Sequence, residues 1–222
     1  VYARLVILIT LGLIFGGGAL FALLEWNNPG TIGSFSTGGK LLAALFQSVT
    51  LRTAGFASFN QDALTEASKL LSNILMFVGG SSGSTAGGVK TVTMGLVVLS
   101  AVSTMRGRRQ VTVFRRSISQ QDISDAVSVA LLVLGLSLFG AAVLTVCDRC
   151  SFLNAIYETI SALCTVGLTT GITSTLCAAS KLILIVFMFF GRVGIMTIGV
   201  GFMMGDRAKE RVQYAQTKVM IG

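Results

Sequence analysis

Long apolar runs alternate with short ones along this chain, and the order repeats. Leu5 to Leu24 is apolar throughout. At about 20 residues it is long enough to cross a bilayer's hydrocarbon core. Glu25 and Trp26 end it at an interface. Asn27 to Gly39 is polar and rich in glycine, and reads as a loop. Lys40 to Thr50 is apolar again but only about a dozen residues long, too short to span. It is expected to enter the membrane as a helix and come back, with Leu51 to Asn60 as an extended return. A further helix is expected from Leu64 to Val78 and again from Val89 to Met105. Five glycines in the ten residues between them break it, because glycine loses the most backbone entropy in a helix.

The second half follows the same plan. Asp122 to Val146 is a span, with Ser119 or Asp122 as its cap. Phe152 to Cys164 is a second short helix, Thr165 to Thr175 its return, and Leu182 to Met204 the last span. The two short helices each run into Thr-x-Gly, at Thr53-Ala54-Gly55 and Thr165-Val166-Gly167, and the glycines lie 112 residues apart. Lys69 and Lys181, Phe77 and Phe189, and Gly80 and Arg192 share that offset. One unit is written twice. The expectation is an all-α membrane protein of two tandem membrane helix–pore loop–membrane helix repeats, as in potassium channels. The predicted division is 1–105 for the first repeat, 106–121 for a basic loop, 122–205 for the second repeat and 206–222 for a tail.

Composition supports the membrane class. The chain is 53% hydrophobic and 12% charged, against about 25% charged in a soluble domain. The net charge of +8 does not point to nucleic acid, because its positions match the positive-inside rule. Arg4, the cluster Arg106 to Arg116 and the tail fall on one side, and both Thr-x-Gly stretches on the other. That places the termini in the cytoplasm of a multi-pass protein, expected in the cell (plasma) membrane. The chain starts almost inside a span without Met, so the protein is expected to continue upstream. Of the four cysteines, Cys147 and Cys150 form a CxxC, but no second pair and no histidine complete a metal site. Unpaired thiols are the favoured reading, and a disulfide at the end of the span is the alternative.

The chemistry of Thr-x-Gly is that of a cation stripped of water. Backbone carbonyls replace the hydration shell if the chain turns them inward, and glycine permits the turn. Thr53, Ala54, Gly55, Thr165, Val166 and Gly167 are therefore the candidate filter, with the negative ends of the short helices aimed at the ion. Each loop keeps only one of the two glycines of Thr-Val-Gly-Tyr-Gly, so discrimination against sodium should be looser than in a dedicated potassium channel. Non-helical backbone at membrane depth survives only where protein or water satisfies it. Gly79, Gly80, Ser81, Ser82, Gly83, Ser84, Thr85, Ala86, Gly87 and Gly88 are thus a candidate pore lining. They also look like a phosphate-binding loop, but Val89 separates Gly88 from Lys90 and the Walker spacing fails.

Ser48 to Phe56, Gly79 to Thr91 and Thr165 to Gly171 together resemble the third filter, the interrupted helix and the fourth filter of the Ktr/Trk/HKT superfamily of potassium transporters. The likeness is to the C-terminal half of the bacterial Ktr membrane subunit, and Lys218 to Gly222 resembles that subunit's ending. The resemblance implies a bacterial inner membrane, and four such units per subunit, two of them in an N-terminal half. It implies a homodimer seated on a cytosolic nucleotide-binding regulatory ring, with Arg106 to Arg116 and the tail as docking surfaces. It implies a gate formed by residues 79–88 with Lys90, and a positive barrier at Arg192. An arginine within a span must face a cavity or a partner, so a carbonyl-held Arg192 is the alternative. The transported ion is K+, with Na+ as the alternative, and no organic cofactor or enzymatic step is expected. A sodium-preferring relative and a non-conducting membrane scaffold are the competing readings. Arg52 is expected to pack behind the loop, Glu158 to pair or meet water, Lys69 and Lys181 to snorkel, and Phe187 to Phe190 to face lipid or core.

Overall fold

The computed structural model describes residues 2–81, 87–107, 111–113 and 116–193. Helix α1 (Tyr2–Glu25) and helix α5 (Gln120–Asp148) hold 24 and 29 residues. At 1.5 Å per residue they run about 36 and 44 Å. Both are long and apolar enough to cross a membrane. Helices α2 (Thr37–Thr50) and α6 (Phe152–Leu163) hold 14 and 12 residues, or roughly 21 and 18 Å, and stop short of a span. α2 starts before the expected Lys40 because Ser36 caps it, accepting from the Gly39 amide. Ser119 caps α5, accepting from Gln121 and Asp122.

The expected broken helix is α3 (Glu66–Phe77) and α4 (Thr91–Met105). The last described helix, α7 (Ala178–Val193), begins four residues before Leu182. The remainder of the expected span to Met204 and the tail lie outside the described residues. The basic segment adds what the sequence pattern did not predict. Strands β1 (Thr112–Val113) and β2 (Arg116–Ser117) form a two-residue antiparallel pair.

α2 packs along α1, and α6 sits between α5 and α7. Gly17 and Gly18 let α2 come close: a Cβ on Gly17 would meet the Ser48 hydroxyl at 2.5 Å. The two halves join where α3 packs on α6 and α4 on α5. Phe21, Leu51, Met76, Val89, Leu144, Tyr157 and Leu163 form the buried centre. Gln61 Oε1 accepts from the Gln47 amide at 2.6 Å within the first half, and from the Tyr157 hydroxyl at 3.1 Å across the join. Lys69 does not snorkel. It turns inward to Asp62 and to Asn154, both at 3.1 Å, because a carboxylate and an amide oxygen meet its ammonium there. Leu8, Phe15, Leu23, Leu131, Phe139, Leu182 and Phe189 are exposed, an exterior that suits lipid rather than water. Within the Phe187–Phe190 run, Phe187 is core and Phe189 is outside.

Glu25 does more than end a helix. Its carboxylate is buried and accepts from Asn28, Thr31 and Thr65, so it ties α1 to the start of α3. Asp148 makes a comparable tie between the end of α5 and the start of α7, accepting from the Cys177 amide at 2.6 Å and the Ser180 hydroxyl at 2.5 Å. All four cysteines are free thiols.

Candidate functional site

Each short helix delivers its Thr-x-Gly in the same backbone shape. Thr53 and Thr165 have φ of 66° and 55°, and Gly55 and Gly167 have φ of 79° and 90°. Left-handed backbone at a β-branched residue costs about 1–3 kcal/mol and persists only where its surroundings enforce it. The enforcement starts at the helix ends. The amides of Ala54 and Gly55 both donate to the Thr50 carbonyl, and the Val166 amide donates to that of Ser161.

A hydroxyl from each helix then holds the residue after the glycine. Thr50 donates to the Phe56 carbonyl at 2.7 Å, and Ser161 to the Leu168 carbonyl at 2.5 Å. The carbonyls of Thr53, Ala54, Gly55, Thr165, Val166 and Gly167 accept no hydrogen bond from another described residue. The two loops also face each other. A Cβ on Gly55 would collide with the Val166 carbonyl oxygen, and one on Gly167 would lie 4.0 Å from the Gly55 Cα. So the sequence-predicted filter residues meet at one place.

The helix break lies against these loops. The Gly79 amide donates to the Val89 carbonyl at 2.8 Å and the Thr91 amide to that of Gly80 at 3.1 Å, which pinches the two ends together. The Gly87 amide donates to the Thr165 hydroxyl at 3.0 Å. Gly88 has φ of 73°, and a Cβ there would meet the Cys164 sulfur at 2.8 Å. Lys90 is the half-buried N-cap of α4 and makes no side-chain capping bond. Ser82, Gly83, Ser84, Thr85 and Ala86 fall outside the described residues.

Arg192 lies near the end of α7 and lines a cavity of about 500 Å³ with Thr165, Gly167, Ser161, Thr169 and Glu158. Glu158, expected to pair or meet water, is the organiser of the second return. One of its oxygens accepts from the Thr169 hydroxyl at 2.7 Å and the Thr170 amide at 2.8 Å; the other accepts from the Thr173 hydroxyl at 2.7 Å. An acid inside an otherwise apolar short helix was the available signal. Its partners, 11 to 15 residues away, were not visible.

The cation transport protein family TrkH matches residues 3–210. The chain belongs to the TrkH family of cation transport proteins. It is 38% identical to Ktr system potassium uptake protein B of Bacillus subtilis over 90% of this chain and 44% of that protein. It is 33% identical to the Vibrio alginolyticus protein of the same name, over all of this chain and 48% of that one. With potassium/sodium uptake protein NtpJ of Enterococcus hirae it shares 34% over all of this chain and 50% of that protein. The chain therefore spans about half the length of these relatives. The crystal structure of TrkH from Vibrio parahaemolyticus shares the fold, with a TM-score of 0.67 and 23% identity, over 89% of this chain and 43% of that one. The TrkH family places the chain among membrane proteins, in line with its apolar helices.

Proposed function

We propose that this chain supplies two of the pore loops of a potassium uptake pathway in the cell membrane. K+ passes down its electrochemical gradient through a ring of backbone carbonyls. The supporting observation is the pair of matched loops, each with three carbonyls that accept no bond from another described residue. Such carbonyls at membrane depth need a partner, and a dehydrated cation is one. Two loops do not close a ring, so two further units from an N-terminal half complete it. The repeats divide at residues 105 and 122, and the full subunit pairs as a homodimer. A cytosolic nucleotide-binding ring docks on the basic segment 106–121 and the tail. Relatives named for potassium uptake support the choice of ion. A relative named for potassium and sodium favours sodium permeation as the second reading.

Residues 79–88 with Lys90 form the gate below the filter in this reading, and Arg192 is the barrier. A unit charge about 10 Å from the ion, at an effective dielectric of about 20, repels it by about 1.7 kcal/mol. Arg192→Ala in the complete transporter should then raise K+ influx into potassium-depleted cells roughly tenfold. Influx at or below wild type, with equal protein in the membrane, would sink the barrier role. No influx from the wild type would favour the scaffold.

A further inference from the structure

Arg52 separates the end of the first short helix from the left-handed Thr53. Its side chain turns away from the filter carbonyls. One terminal nitrogen donates to the Thr10 carbonyl of α1 at 3.4 Å. The other donates to the Gly79 carbonyl at 3.3 Å and to the Thr91 hydroxyl at 2.9 Å. Thr91 is fully buried and passes its own hydrogen to Gly79 O at 3.1 Å. The guanidinium thus bonds both ends of the helix break and the first helix at once. No carboxylate is among its described contacts, so charge pairing does not account for its position.

The second repeat has Cys164 at the same offset. Its thiol is buried, packs on Gly88 and faces the Val89 backbone, so a neutral thiol stands where the first repeat has a charged fork. There the break itself reaches the filter, through the Gly87 amide on Thr165. Each residue just before a filter threonine therefore abuts the break, but Arg52 bonds both of its ends and α1 as well. A planar fork reaches three acceptors on separate elements. A lysine ammonium keeps the charge but presents its donors from a single point, without the fixed spacing of the fork.

We propose that Arg52 is a positioning residue that sets the geometry of Thr53–Gly55 by clamping the first filter loop to α1 and to the base of the helix break. This rests on Thr53–Gly55 being filter. The clamp controls selectivity, because it fixes the backbone that aims the carbonyls.

The test measures potassium-to-sodium permeability ratios of conducting transporters, in the complete protein, for Arg52→Lys, Thr91→Val and Thr91→Ser. Arg52→Lys keeps the charge and loses the fork; it should lower the ratio about tenfold. Thr91→Val removes the buried hydroxyl at nearly constant volume and should lower the ratio in the same direction. Thr91→Ser should restore it. If Arg52→Lys does not reach the membrane, the Thr91 pair decides alone. Wild-type ratios in Thr91→Val, or reduced flux at an unchanged ratio, would overturn the clamp. A wild type without potassium preference would instead contradict the filter reading beneath it.

Discussion

Gly55→Ala is expected to abolish selective potassium uptake, while Gly167→Ala should leave a measurable fraction of it. Both glycines are left-handed, so alanine at either pays roughly 1–2 kcal/mol of backbone strain. The surroundings separate them. At Gly55 the new methyl would collide with the Val166 carbonyl oxygen, which belongs to the facing loop. Relief requires one Thr-x-Gly loop to push back the other, at a further 1–3 kcal/mol or so. At Gly167 the nearest atom is the Gly55 Cα at 4.0 Å, an ordinary contact. The strain is common to both, so the collision alone separates them, by roughly tenfold or more in the population of intact loops. Rubidium uptake by the two variants at matched expression checks the order. Equal loss in both, or a more severe Gly167→Ala, would mean that the loops do not face each other as described.

Glu158→Ala should have the next largest effect. The carboxylate is almost wholly buried and gathers the hydroxyls of Thr169, Thr170 and Thr173 and the Thr170 amide. Hydrogen bonds to a charged group contribute about 1.5–3 kcal/mol each, and the donors left behind add a desolvation cost. Because the donors share one acceptor, their contributions do not add. A loss of about 3 kcal/mol or more is expected, seen as a fall of several degrees in Tm of the purified transporter. Selectivity should fall too, since the return strand from Gly167 is fixed by these bonds. Glu158→Gln keeps the shape and one accepting oxygen, and should recover most of the Tm. An unchanged Tm in Glu158→Ala would show that the threonines hold the return without it.

What the sequence made legible here follows from range. Helix lengths and the helix break depend on local apolarity and glycine content, so α1, α5 and the α3–α4 interruption fall close to expectation. The paired loops were legible because one spacing recurs: Thr53 and Thr165 adopt matching left-handed backbone at the offset that the repeat predicted. Side-chain partners far apart in the chain left no periodic trace. Lys69 was expected at the lipid interface, but its partner Asn154 is 85 residues away. Arg52 was expected behind the loop and is there, although its ties to Thr10, Gly79 and Thr91 were not readable. Glu25 stood at the end of an apolar run, which hid its role as a junction between α1 and α3.

The most direct measurement is the anomalous scattering of rubidium or thallium ions in crystals of the complete transporter. A filter made from these loops predicts a density peak in contact with the carbonyls of Thr53–Gly55 and Thr165–Gly167, weakened in Gly55→Ala. Ions bound only in the cavity beside Arg192, in a transporter that still conducts, with none at the loops, would contradict it.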